Sequence, residues 1–154
     1  MEAIERARDN SPFLAGLIDR NADLIPAIEA GDFDGALASA LARQSDKVAT
    51  TLRLQRQGVA LVTGIADLAG IWDLTRITRI LSDFADHALD IAIAAAIDER
   101  MPGAPNQGFA VIALGKHGGQ ELNYSSDIDP IFLFDPETLP HRDRDDVAEA
   151  AVRY

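Results

Sequence analysis

Residues 115 to 135 read Gly115-Lys-His-Gly-Gly-Gln-Glu-Leu-Asn-Tyr-Ser-Ser-Asp-Ile-Asp-Pro-Ile-Phe-Leu-Phe-Asp135. The stretch opens on a glycine turn, passes through polar residues and closes on Ile128 to Phe134, an apolar run of strand length. Side chains on a strand alternate faces, so Asp127 and Asp129 point the same way with α-carbons roughly 6.5 Å apart. Two carboxylates in one small space raise each other's proton affinity, and a divalent cation relieves the repulsion. Oxygen ligands without Cys or His suit magnesium, which binds through one or two carboxylates plus substrate phosphates.

A lone Asp-x-Asp also describes two solvent-facing residues at a strand end. Here the pair follows Gly118-Gly119, where the backbone can approach a phosphate closely and its amides can point at it. A helical turn over Gly119 to Asn123 would add further N–H groups. Ser125 and Ser126 place hydroxyls beside the aspartates, and Lys116 places a cation beside the turn. The stretch therefore reads as a magnesium- and phosphate-binding loop. Other motifs fail on particular residues. Lys116 is followed by His117, not by the Ser or Thr of a P-loop. The chain turns apolar after Asp129, where a calcium loop needs more ligands, and the dinucleotide-binding glycine spacing is absent.

Upstream, Gly108 to Leu114 is a second apolar run, and Met101 to Gln107, with two prolines and a glycine, marks a boundary. Before it the period is helical. Ser11-Pro12 supplies an N-cap and a first-turn proline for a helix towards Arg20. Gly31 ends the next helix, and aliphatic residues recur at helical spacing from Phe33 to Ala42 and from about Ser45 to Leu68. Leu74 to Arg100 is an amphipathic helix capped by Asp73 and stapled by Trp72 onto Ile77. Ile77, Ile80, Leu81, Phe84, Ala88, Ile91 and Ala95 form its buried stripe; Arg76, Arg79, Asp83, Asp86 and Asp90 face away. After Arg142 a further helical pattern begins. The expected fold is α+β and mostly α, with a helical bundle over 1–103 followed by two strands and a helix over 104–154. Two strands make a stable sheet only with further strands or a packed helical face, so either the helices cover this sheet or the chain is a fragment.

The 154 residues suffice for one ordinary core. The net charge of −11 argues against a nucleic-acid partner, whose phosphates are met by Lys and Arg. With no cysteine, thiolate metal sites and disulfides are excluded. The start lacks the order of a signal peptide, and Val59 to Trp72 is interrupted by Thr63 and Asp67, so no membrane span is expected and the cytoplasm is the default compartment.

The residues Gly115 to Phe134 closely resemble the signature of the glutamine synthetase adenylyltransferase and adenylyl-removing enzymes, within the polymerase-beta-like nucleotidyltransferase superfamily. The superfamily pattern, a glycine turn followed by Asp-x-Asp, is matched by Gly118, Gly119, Asp127 and Asp129. The wider pattern Gly-Lys-x-Gly-Gly-x-Glu-Leu-Asn-x-Ser-Ser-Asp-Ile-Asp-x-Ile-Phe-Leu is specific to the smaller family, and Ser11-Pro-Phe-Leu-Ala resembles its helical lead-in. The resemblance implies a nucleotidyltransferase palm in which Asp127 and Asp129 hold Mg2+, Gly118 and Gly119 lie against the phosphates of ATP or ADP, and Ser126 supports that contact. It implies a third carboxylate on a later strand, glutamine synthetase as protein substrate, and the PII signal-transduction protein as regulator.

The family's enzymes carry two catalytic halves, one attaching AMP to a tyrosine of glutamine synthetase and one removing it by phosphorolysis. Glu121-Leu122-Asn123, where the attaching half typically has glycine in third place, and a match that begins close to Met1 favour the removing half. The attaching half and a non-catalytic helical module with a phosphate or metal loop are the alternatives. The chain by itself is expected to be a fragment without turnover.

Two residues depart from the family pattern. His117 replaces an aliphatic residue and reads as an exposed loop histidine; Pro130 replaces leucine and belongs at a sheet edge or bulge. His87 flanks the helix stripe, and His141 belongs to a charged helix entry. Lys47, Arg53 and Arg56 form a solvated helix face. Asp135 shares the face of the aspartate pair but lies about 20 Å from Asp129, too far to share an ion.

Overall fold

A computed structural model of the chain describes residues 2–142 and 145–154. Eight α-helices and a two-stranded sheet are present among them. Helix α1 (Glu2–Asn10) runs into α2 (Pro12–Arg20), where the Ser11 hydroxyl accepts the Leu14 N–H at 3.2 Å and Pro12 occupies the first turn. A 3₁₀ turn, Ala22–Leu24, leads to α3 (Ile25–Glu29), which Gly31 ends at φ +79°. Helix α4 (Phe33–Leu41) is capped by Asp32, whose carboxylate accepts the Gly35 N–H at 2.9 Å.

Helix α5 (Val48–Leu68) is the axis of the bundle, packing on α1, α2, α4 and α6 (Leu74–Arg100). It begins three residues later than its aliphatic pattern suggests. The Thr51 hydroxyl accepts the Ser45 N–H at 2.9 Å and donates to the Ser45 carbonyl, while Lys47 stays extended, so the backbone before Val48 is held outside the helix. The α6 boundaries match the sequence reading, with the Asp73 carboxylate accepting the Arg76 N–H at 2.8 Å. Trp72 and Ile77 share the buried core with Leu17, Ile18, Leu61 and Ile65, and Trp72 also meets the edge of Phe33 at 5.9 Å between ring centroids.

The polar residues inside this bundle are all bonded. Arg43 spans three elements: it donates to Asn21 Oδ1, to both Asp23 carboxylate oxygens at 2.9 and 2.8 Å, and to the Leu54 carbonyl. Gln55 donates to the carbonyls of Leu41 and Arg43, and its Oε1 meets His87 at 3.1 Å.

Strands β1 (Phe109–Ala113) and β2 (Pro130–Phe134) pair antiparallel, from Phe109 opposite Phe134 to Ala113 opposite Pro130. Between them lies the one-turn helix α7 (Gly115–Gly118), and α8 (Val147–Arg153) closes the chain. The ladder is shorter at the aspartate end than Ile128 to Phe134 implies. Beyond Ala113 the partner strand has already turned into α7, so residues 127–129 have nothing to pair with. Pro130, as the first residue of β2, loses no ladder bond that its missing N–H would have made. No helix among the described residues is long and apolar enough to cross a membrane.

Candidate active site

Asp127 and Asp129 lie in the extended lead-in to β2, before the ladder begins, which corrects their placement on the strand itself. The alternation survives this shift. Both carboxylates line a cleft of about 350 Å³ with Leu114, Gly115, Lys116, Asn123, Ser125 and Ser126; Ile128 between them is absent from that lining and lines a groove against the helices, which Asp127 also borders. Asp127, Asp129 and Lys116 are exposed, so an ion or anion can reach them from solvent. Among the described residues no group of three or more His, Cys, Asp or Glu could hold a metal. The donor set is thus two carboxylate side chains open to one side, which fits magnesium completed by phosphate oxygens and water, and does not fit a closed protein cage.

The glycines divide their work. The helical turn falls on Gly115–Gly118, not on Gly119 to Asn123. The Gly118 and Gly119 N–H groups donate to the carbonyls of Leu114 and Gly115, at 3.2 and 3.1 Å. A Cβ on Gly118 would stand 2.4 Å from the Ala113 carbonyl oxygen, so only glycine lets this turn close against the end of β1. Gly115, at φ +57°, and Lys116 are the turn residues that face the aspartates. Ser126 is likewise committed to the loop: its hydroxyl donates to Asn123 Oδ1 at 2.9 Å and accepts the Asn123 N–H at 3.2 Å. Asn123 Oδ1 also accepts the Ser125 N–H, so one side chain fixes the turn that delivers Asp127.

The helices hold this loop at three points. The Leu122 N–H donates to Ser82 Oγ on α6, with Leu122 and Ser82 both buried. The Tyr124 hydroxyl donates to Asp67 Oδ2 near the end of α5, at 3.3 Å. Burial, and after it the neighbouring Asp67 charge, push the Tyr124 phenol well above its ordinary range, so it stays a donor at any physiological pH. The third point is His117, whose Nε2 lies 2.8 Å from Asp86 Oδ1 on α6.

His117 is 3% exposed, which overturns its reading as an exposed loop histidine. With a carboxylate as acceptor the ring proton belongs on Nε2, and the buried Nδ1 finds no partner among the described residues. The side chain behaves as an apolar plug with one polar tie. His117→Ala is expected to cost about 2–3 kcal/mol through the cavity it leaves, whereas His117→Leu stays within about 1 kcal/mol because it also removes the orphaned nitrogen. Urea unfolding of the two variants measures the difference.

None of these three anchors was evident in the motif. Asp86 belongs to the solvent face of α6 by periodicity, and only the loop folding back onto that face gives it a partner. Ser82, a hydroxyl within the apolar stretch of α6, was the available signal. Asp135, outside the cleft, closes its own turn: the Glu137 N–H and, after it, the Thr138 hydroxyl hold its carboxyl below the usual range. His141 Nδ1 bonds the Leu139 carbonyl at 2.9 Å. The helical entry expected after Arg142 falls partly on residues 143–144, outside the described residues, and α8 begins at Val147.

A family model described as Glutamate-ammonia ligase adenylyltransferase matches residues 3–153. Among curated proteins, the bifunctional glutamine synthetase adenylyltransferase/adenylyl-removing enzyme of Caulobacter vibrioides is 36% identical over 93% of this chain and 16% of its own length. The proteins of the same name from Xanthobacter autotrophicus and Bradyrhizobium sp. strain ORS 278 are 36% and 34% identical, each over 86% of this chain, covering 15% and 16% of their own lengths. The chain thus spans about one-sixth of the curated relatives it matches. No solved structure matches it.

Proposed function

The chain belongs to the glutamate-ammonia ligase adenylyltransferase family, and from that premise we propose that its aspartate cleft is the metal- and phosphate-binding part of a nucleotidyl-transfer site. The observation that carries the reading is the convergence of Asp127, Asp129 and Lys116 on one open cleft. Asp127 and Asp129 would hold Mg2+, which when bound would supply charge neutralisation at the phosphorus of the transferring adenylyl group. The Lys116 ammonium meets the phosphates of ADP or ATP beside the Gly115 backbone. Gly118, which has no room for a Cβ, keeps the turn tight enough to put both there, Gly119 follows it in the turn, and Ser126 acts through Asn123 by fixing the approach of Asp127.

Glu121-Leu122-Asn123 favours the deadenylylating direction. There an orthophosphate oxygen bonds to the adenylyl phosphorus, the bond from phosphorus to the tyrosine oxygen of glutamine synthetase breaks, and ADP and a free phenol result. Two carboxylates, with no third acid or histidine grouped with them among the described residues, support metal and phosphate binding by this chain. Control by the PII protein and a cytoplasmic setting accompany the reading.

Titration calorimetry with Mg2+ and ADP tests it. The chain is expected to bind ADP at least 10-fold more tightly with Mg2+ than with EDTA, and Asp127→Ala/Asp129→Ala is expected to abolish that difference with an unchanged melt. A metal effect that survives in the double variant would end the assignment.

A further inference from the structure

The cleft is continuous with a larger groove. About 590 Å³ of space lies between α2, α5, α6 and the loop, and Asn123, Ser126 and Asp127 line both spaces. Its floor is apolar, built from residues such as Val59, Phe84 and Ala88. Its α6 wall runs from Leu81 to Ala92, about 16 Å at the helical rise, the length of about five residues of extended chain. Phe13, 59% exposed, and Tyr124 stand on its border.

The groove also carries two cations along its length, with Asp127 at the end it shares with the cleft. The chain is strongly acidic, yet Arg20 on α2 and Arg56 on α5 line the groove, and neither is paired with a carboxylate among the described residues. Arg6, Arg53, Arg100 and Arg142 are likewise without an ion pair among the described residues, so what sets Arg20 and Arg56 apart is their place along one apolar groove. An apolar trough with two guanidinium groups outside any ion pair, and its one carboxylate at the cleft end, complements a segment bearing large apolar side chains and a carboxylate.

We propose that this groove docks the protein substrate, taking an acidic, apolar-anchored segment next to the side chain that enters the aspartate cleft. The proposal rests on the nucleotidyl-transfer reading and adds to it the surface by which a protein, not only a nucleotide, is held. Its extended shape and its continuity with the cleft place the flanking chain in the groove and the reacting group at Asp127.

Surface plasmon resonance with immobilised glutamine synthetase tests the assignment, run beside the Mg2+ and ADP titration on the same samples. Arg20→Glu/Arg56→Glu changes two exposed side chains, and Ala88→Trp fills the floor. Each is expected to weaken glutamine synthetase binding at least 10-fold while ADP affinity is kept, and wild-type binding is expected to weaken as salt rises. Asp127→Ala/Asp129→Ala should show the reverse pattern, losing the metal effect on ADP and keeping glutamine synthetase. Wild-type ADP binding without glutamine synthetase binding overturns the docking proposal alone, as does unchanged affinity in both groove variants. Loss of ADP affinity in the groove variants assigns the groove to the nucleotide and also overturns it. Failure of the wild type to bind Mg2+ and ADP removes the site and the docking proposal together.

Discussion

Trp72→Ala is expected to lower the melting temperature by about 10 °C, since truncating a buried aromatic costs about 3–5 kcal/mol and each kcal/mol moves a domain of this size by about 2–4 °C. Trp72 occupies the crease where α5 turns into α6 and is 5% exposed. Its ring meets Phe33, the first residue of α4, edge-on, and the Arg76 guanidinium lies over it at 4.3 Å. One side chain therefore joins the start of α4 to the α5–α6 turn. Leu74, two residues on and 74% exposed, serves as the control: Leu74→Ala should leave the melt unchanged. A shift under 3 °C for Trp72→Ala, read by circular dichroism, would show that the crease repacks.

Gly118→Ala and Gly119→Ala are expected to part company. The Gly118 Cβ would intrude on the Ala113 carbonyl oxygen, so the turn must swing away from β1 and take Gly115 and Lys116 with it. Gly119 has room, the nearest atom to its Cβ being 3.6 Å away. Gly118→Ala should weaken magnesium-dependent ADP binding more than 10-fold while the helical melt is kept, and Gly119→Ala should bind within about 2-fold of wild type, the difference a displaced turn makes to positioned charges. Equal losses at both positions, measured by titration calorimetry, would mean that the glycines act by touching phosphate directly and not by fitting the turn to the strand.

Most of the helical architecture was legible because its signals are local. Ser11 with Pro12, Asp73, and the three- and four-residue apolar spacing each act within one or two turns, and α2 and α6 begin and end where these residues place them. The Asp-x-Asp pair was legible for the same reason, since alternation needs only an extended backbone. What depended on a distant partner was not. The start of β2 is set by where β1 stops, the burial of His117 by Asp86 on another element, and the choice of which glycine faces the aspartates by the way the turn closes on Ala113. Sequence spacing carries none of these, because each is a contact across a gap of many residues.

The two-stranded sheet leaves Ile131 to Phe134 exposed, and half of its backbone N–H groups point away from any partner strand. Such a ladder opens by local fluctuation long before the helices do. The aspartates enter directly from its end, so their order in time comes from Leu122, Tyr124 and His117, whose bonds reach into α5 and α6. The slow-exchanging part of the molecule thus lends its lifetime to the fast-exchanging part: α5 and α6 act as the clamp of a cleft whose lining they do not enter.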